Sequence, residues 1–191
     1  MALGIGPGDE VITTGFTFIS TVEVVALMGA KPVLVDVHPD TFTIDPAQVR
    51  AAITPRTKAI VPVHLFGQMA DMDALMDISE TSGVPIIEDN AQAIGAAWCG
   101  EANRHGQSGT FGLMGTTSFF PSKNLGCMGD GGAIVTSDDN VAARCKQIAN
   151  HGMVKQYHHD VVGINSRLDG LQAAILRVKL KHLRSYLAAR Q

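Results

Sequence analysis

The run Ser118-Phe-Phe-Pro-Ser122-Lys123-Asn-Leu-Gly126 sets one lysine between two serines and a glycine cluster, Gly126, Gly129, Gly131 and Gly132. A lysine amine attacks a carbonyl carbon only when it can shed its proton near neutral pH, which burial or a neighbouring cation brings about. The product is a Schiff base, and bare backbone beside the lysine would let a flat ring come close. Ser118 and Ser122 add hydroxyls able to donate to a phosphate. Most lysines are simply solvated, so the case for chemistry depends on what else the chain supplies.

A second group, Ile-Ile-Glu88-Asp89-Asn-Ala-Gln92, ends an apolar run in two carboxylates. Asp89 either caps the segment that follows or pairs with a cation. A protonated pyridine nitrogen is one such cation, and an Asp partner for it is a feature of pyridoxal phosphate (PLP) enzymes. Phe18, in Thr-Gly-Phe-Thr-Phe-Ile-Ser, either packs into a core or offers a stacking face to a flat ring. His64 and Gln68 follow another apolar run, Ile-Val-Pro-Val-His-Leu-Phe-Gly-Gln.

Other chemistries find less support. Gly-Ile-Gly-Pro-Gly at 4–8 precedes a strand, the wrong side for a dinucleotide-binding loop. His64, His151, His158 and His159 match no standard ligand spacing, no Cys-x-x-Cys pair occurs, and no metal is expected. Neither a G-x-S-x-G elbow nor a G-x-x-x-x-G-K-[ST] loop is present.

The elements that must position these residues alternate along the chain. Gly8–Thr14, Lys31–Val37, Thr57–Gly67 and Val84–Ala91 read as strands, with Gly115–Ser122 and Gly131–Ser137 as further candidates. Phe18–Ala30, Asp45–Thr54 and Asp71–Gly83 read as helices, with Asp45 and Pro46 opening one and Gly29 and Gly83 closing two others. Asp138 or Asp139 caps a helix to Gly152, and the apolar spacing of Ser166–Gln191 predicts the longest helix. Strand–helix alternation predicts an α/β fold, three-layer α/β/α, with a mainly parallel sheet covered on both faces. Ligands of such sheets sit at the carboxyl ends of strands, where His64, Glu88, Asp89 and Gln92 fall.

A chain of 191 residues can bury a core of its own. Its net charge of −3 gives no reason to expect nucleic acid as a partner. No apolar run approaches the roughly 20 residues of a membrane-spanning helix, so no membrane partner is expected. Met1–Glu10 does not read as a signal peptide. Three cysteines, an odd number, suit a reducing cytoplasmic setting.

Taken in order, the segments GPGDEVITTGFTFIST, GAKPVLVDVHPDTFTIDP, VPVHLFGQMADMD, IIEDNAQAIGA, SFFPSKNLGCMGDGGAIVT and VVGINSRLDGLQAAILRVKL resemble the DegT/StrS-type sugar aminotransferases, PLP enzymes of the aspartate-aminotransferase fold (fold type I). The resemblance covers nearly the whole chain. It implies pyridoxal 5'-phosphate as cofactor, with Lys123 as its covalent anchor and general base. By the same resemblance Asp89 binds the ring nitrogen, Gln92 the phenolic oxygen and Ser118 the phosphate, while Phe18 stacks on the ring. Asn165 matches an asparagine that reaches into a partner subunit's site. A homodimer with shared sites is implied, moving an amino group from an amino-acid donor, usually glutamate, to a nucleotide-linked keto sugar for surface polysaccharides, modified lipids or antibiotics.

Against the family pattern, the chain is expected to be cut at both ends. The expected division is a PLP-binding large domain over 1–165, lacking a first strand and a phosphate-loop helix, and a long helix over 166–191 leading to an absent small domain. Residues 99–110 read as a loop insertion. Two alternatives follow: a catalytically inactive remnant serving as a binding or dimerisation module, and a PLP sugar dehydratase. The latter would carry histidine in place of Lys123.

Overall fold

The computed structural model describes residues 1–101 and 104–190. Its first half alternates β1 (Glu10–Thr14), α1 (Ser20–Leu27), β2 (Lys31–Val35), α2 (Pro46–Ala52), β3 (Thr57–Val61), α3 (Met72–Ser82) and β4 (Ile87–Asp89). A hairpin of β5 (Ala97–Cys99) and β6 (His105–Gln107) follows, then β7 (Met114–Ser118), β8 (Gly132–Val135) and α4 (Asp139–Ala149). A short ladder of β9 (Met153–Lys155) and β10 (His158–His159) leads to α5 (Gly170–Leu180) and α6 (Leu183–Ala188).

Local chemistry sets the helix ends. Asp45 Oδ1 accepts from the Ala47 N–H at 2.8 Å with Pro46 as the first helical residue. Asp71 Oδ1 does the same for Ala74 at 3.0 Å. Asp138, not Asp139, caps α4, accepting from Asn140 and Val141. Gly83 closes α3 at φ +71°, a left-handed conformation costly for any residue with a Cβ.

Strand β1 lies between β2 and β3, parallel to both. Strand β4 runs parallel to β7, which pairs antiparallel with β8. The two sets meet edge to edge through parallel bridges, Ile60 to Ile86 and Val63 to Asp89. Alternation along the strands then sorts side chains onto two faces. Ile12, Ile60 and Ile86 pack with Val49 of α2 and Met72, Leu75 and Ile78 of α3. Val11, Ala59, Val61 and Ile87 face the other way, toward Val25 of α1. The result is the expected layering, one helix over one face and two over the other. Cover on both faces is complete only for β1: Leu34 of β2 and Ile134 and Val135 of β8 stay exposed.

Two expectations need correction. The single long helix over 166–191 is instead α5 and α6, separated by a bend at His182, whose φ/ψ of −104°/1° is non-helical. The bend turns Leu183 onto Leu125, Cys127 and Leu176, burial that a straight helix would forgo. Gln191 lies outside the described residues. The segment 99–110 is not a plain loop: its flanks pair as β5–β6, with residues 102 and 103 outside the described residues. Arg104 ties the hairpin to α3, donating to Asp77 at 2.7 Å and Glu80 at 3.2 Å.

Candidate active site

Lys123 stands on the loop joining β7 to β8, and that loop is folded tightly on itself. The Lys123 N–H donates to the Phe120 carbonyl at 2.9 Å, and the Cys127 N–H returns to the Phe119 carbonyl at 2.8 Å. A Cβ on Gly126 would collide with the carbonyl oxygens of Pro121 and Phe120, so only glycine lets the loop close. Of the four glycines around the lysine, Gly131 alone lines the adjoining cavity. Gly126 therefore serves loop closure.

Helix α5 pins this loop from outside. Gln172 grips Met128 twice: Oε1 accepts from its N–H at 2.8 Å, and Nε2 donates to its carbonyl at 3.0 Å. Lys179 Nζ donates to the Gly126 carbonyl at 2.6 Å. Neither residue stands out in the sequence, where both read as part of an amphipathic helix.

Lys123 opens on a cavity of about 500 Å³, within the range of small-molecule sites. Phe18, Asp89, Gln92 and Ser118 line it as well, with Thr17, Ser20 and Ser122. Five of the six residues expected at the site thus converge. Asn165 does not join them; it lies exposed, its Oδ1 accepting from Arg167 Nε at 2.9 Å. Gln68 does not line the cavity either. Lys123, Gln92 and Ser122 also border a neighbouring cavity of about 510 Å³ that reaches Phe66 and Arg190.

The polar groups are oriented by their neighbours. Asp89 ends β4 with its side chain on the α1 face. Its Oδ2 accepts from the Thr21 hydroxyl at 2.7 Å and its Oδ1 from the Ala91 N–H at 3.1 Å. Gln92 Oε1 accepts from the Phe66 N–H at 2.9 Å, so its amide Nε2 is the end left to donate. Phe66 holds that position in a left-handed conformation, φ 54°, with its ring exposed. Ser118 Oγ accepts from the Phe120 N–H at 3.2 Å, which leaves its own proton to give.

Glu88 points to the opposite face and is fully buried. Its carboxylate accepts from the N–H groups of Gly109, Phe111 and Gly112 at 2.7, 2.6 and 2.7 Å, and from His64 Nε2 at 2.8 Å. The Ala70 N–H donates to His64 Nδ1, so the imidazole carries its one proton on Nε2. Burial would push the Glu88 carboxyl up, but the hydrogen bonds from His64, Gly112 and Gly109 outweigh it and hold the group below the usual carboxylate range. His64, expected near a ligand, is therefore a support behind the site.

An amine, a carboxylate, a donor amide, hydroxyls and an aromatic face around one cavity form a donor set that fits PLP: a carbonyl to condense with the amine, a ring nitrogen for the carboxylate, a phenolic oxygen for the amide and a phosphate for the hydroxyls. The three-layer fold with a mainly parallel sheet is that of the large domain of fold type I aminotransferases. The chain belongs to the DegT/DnrJ/EryC1/StrS aminotransferase family, whose sequence model matches residues 1–191.

A UDP-2-acetamido-2-deoxy-3-oxo-D-glucuronate aminotransferase of Pseudomonas aeruginosa is 56% identical over 191 residues, all of this chain and 52% of the relative. Among solved structures, Streptomyces venezuelae DesV in complex with a ketimine intermediate is 49% identical with a TM-score of 0.89, over 96% of this chain and 48% of that one. NtdA of Bacillus subtilis with bound cofactor PMP is 38% identical with a TM-score of 0.86, over 95% of this chain and 40% of that one. The chain thus spans about half the length of the curated relatives it matches.

Proposed function

We propose that this chain carries the cofactor-binding part of a PLP-dependent sugar aminotransferase. Its substrates would be a nucleotide-linked keto sugar and an amino-acid donor, glutamate by family resemblance. The observation that carries the reading is the convergence of Lys123, Asp89, Gln92, Ser118 and Phe18 on one cavity.

In that reading PLP, when bound, supplies an electron-withdrawing ring that accepts the electron pair left when a C–H bond beside nitrogen breaks. Lys123 Nζ holds the cofactor covalently and, as a free amine, takes up and returns the proton at the substrate carbon. Asp89 keeps a cationic ring nitrogen paired. Gln92 Nε2 would donate to the phenolic oxygen, Ser118 would donate to the phosphate, and Phe18 would offer its ring for stacking. The cavity toward Phe66 and Arg190 gives a sugar substrate access to Lys123.

The nucleotide-sugar class rests on the name of the Pseudomonas relative, which is 56% identical. Polysaccharide or cell-surface glycan synthesis, in the cytoplasm, is the setting we assign to it. No helix among the described residues is long and apolar enough to cross a membrane. A homodimer, with Asn165 entering the partner's site, is the assembly we assign by family resemblance.

The test is titration of the purified protein with PLP, followed by absorbance, with borohydride reduction, beside Lys123→Ala. Expected are a visible band that borohydride bleaches and cofactor that then stays bound through denaturation, both of them absent in Lys123→Ala. A band of equal strength in the variant would refute the assignment of Lys123, and a parent protein with no band would refute the cofactor reading.

A further inference from the structure

The Thr21 hydroxyl, 6% exposed in the first turn of α1, donates to Asp89 Oδ2 across 2.7 Å. A hydroxyl has one proton to give. With that proton committed to Asp89, the contact between the Thr17 and Thr21 hydroxyls at 3.3 Å has a single direction: Thr17 donates to Thr21. Thr17 lines the cavity, so a donor chain runs from the cavity wall through Thr21 to the carboxylate. The Ala91 N–H occupies the other oxygen at 3.1 Å. One donor on each oxygen stops rotation of the carboxylate about its Cβ–Cγ bond.

We infer that Thr21 is a positioning residue for the proposed cofactor site: it aims Asp89 at the ring nitrogen, and Thr17 orients Thr21 in turn. The inference rests on the PLP reading above. Neither threonine needs to touch the ring nitrogen. A carboxylate has about four acceptor directions, so those left after Thr21 and Ala91 are open to a cationic N–H. Valine at position 21 would match the shape of threonine but leave Asp89 held by the Ala91 N–H alone.

The experiment compares parent protein, Thr21→Val and Thr21→Ser by PLP titration, by the pH at which the visible band of the Lys123-bound cofactor titrates, and by thermal unfolding. Valine keeps the shape of threonine and lacks the donor; serine keeps the donor. In Thr21→Val the Kd for PLP rises roughly tenfold, as expected for losing a hydrogen bond to a charged group. Its band titrates at higher pH, because a ring nitrogen less firmly held in its protonated form withdraws less charge from the lysine linkage. Thr21→Ser restores both. A Thr21→Val protein with parental Kd and parental band titration overturns the inference. So does one whose melting temperature and Kd change while the band titration stays parental, since that is mere loosening of α1. A parent with no band at all fails earlier, at the cofactor reading, and is recognised by its failure before any substitution.

Discussion

His64 Nε2 donates to Glu88 Oε2 across 2.8 Å, with both side chains fully buried. The pair joins the end of β3 to β4 on the face opposite Asp89, and three N–H groups of residues 109–112 complete the shell around the carboxylate. Glu88→Gln would set an amide NH₂ against N–H donors in a space closed to water. The expected loss is about 3 kcal/mol of unfolding free energy. Chemical denaturation of parent and variant measures it, and an unchanged midpoint would sink the idea that β4 is anchored here.

The lower end of the sheet carries a pH signal. Glu10 accepts from the Thr54 hydroxyl at 2.6 Å, Arg56 at 2.9 Å and Lys31 at 3.3 Å. These hydrogen bonds, Thr54 first, hold its carboxyl at about 2 against an ordinary 4.5. The folded group binds its proton less readily than the unfolded one, so stability from this site is full above pH 4.5 and is lost as pH falls from there through about 2. Glu88 acts in the same direction. Urea midpoints of parent and Glu10→Gln should converge as the medium is acidified. A constant gap down to pH 2 would contradict the assignment.

Gly126→Ala tests the closure of the lysine loop. The added methyl meets the Pro121 and Phe120 carbonyls, both backbone and unable to swing aside. A cost of about 1–3 kcal/mol is expected, typical of overpacking. In the proposed function it also lowers the yield of PLP trapped on Lys123. A variant with parental stability and trapping would show that the loop has room to spare.

Gln172→Ala removes both hydrogen bonds from α5 to Met128. Unfolding free energy should fall by about 1 kcal/mol, the net worth of such bonds. Proteolysis should cut the 120–131 loop faster in the variant. Equal cutting rates would mean that Lys179 and the loop's own turns suffice.

Residues that act within a few positions of one another are legible in the chain. Asp45 with Pro46 and Asp71 to Ala74 mark their helix ends without any partner from afar, and Gly83 does so by its own φ. Strand alternation places Glu88 and Asp89 on opposite faces. Lys123, Asp89, Gln92, Ser118 and Phe18 are expected together by family resemblance, and one cavity gathers all five.

What lies across each face was not legible. Thr21 meets Asp89 over a separation of 68 residues, and Gln172 meets Met128 over 44. No local pattern distinguishes these two from ordinary helix residues. The same holds for the bend at His182 and the hairpin at β5–β6, made by Leu183 finding Leu176 and Arg104 finding Asp77. Caps and periodicity are satisfied by neighbours in sequence and can be read one segment at a time. A side chain's partner across the sheet depends on the path of the whole chain, because long-range contacts exist only once packing has brought distant segments together.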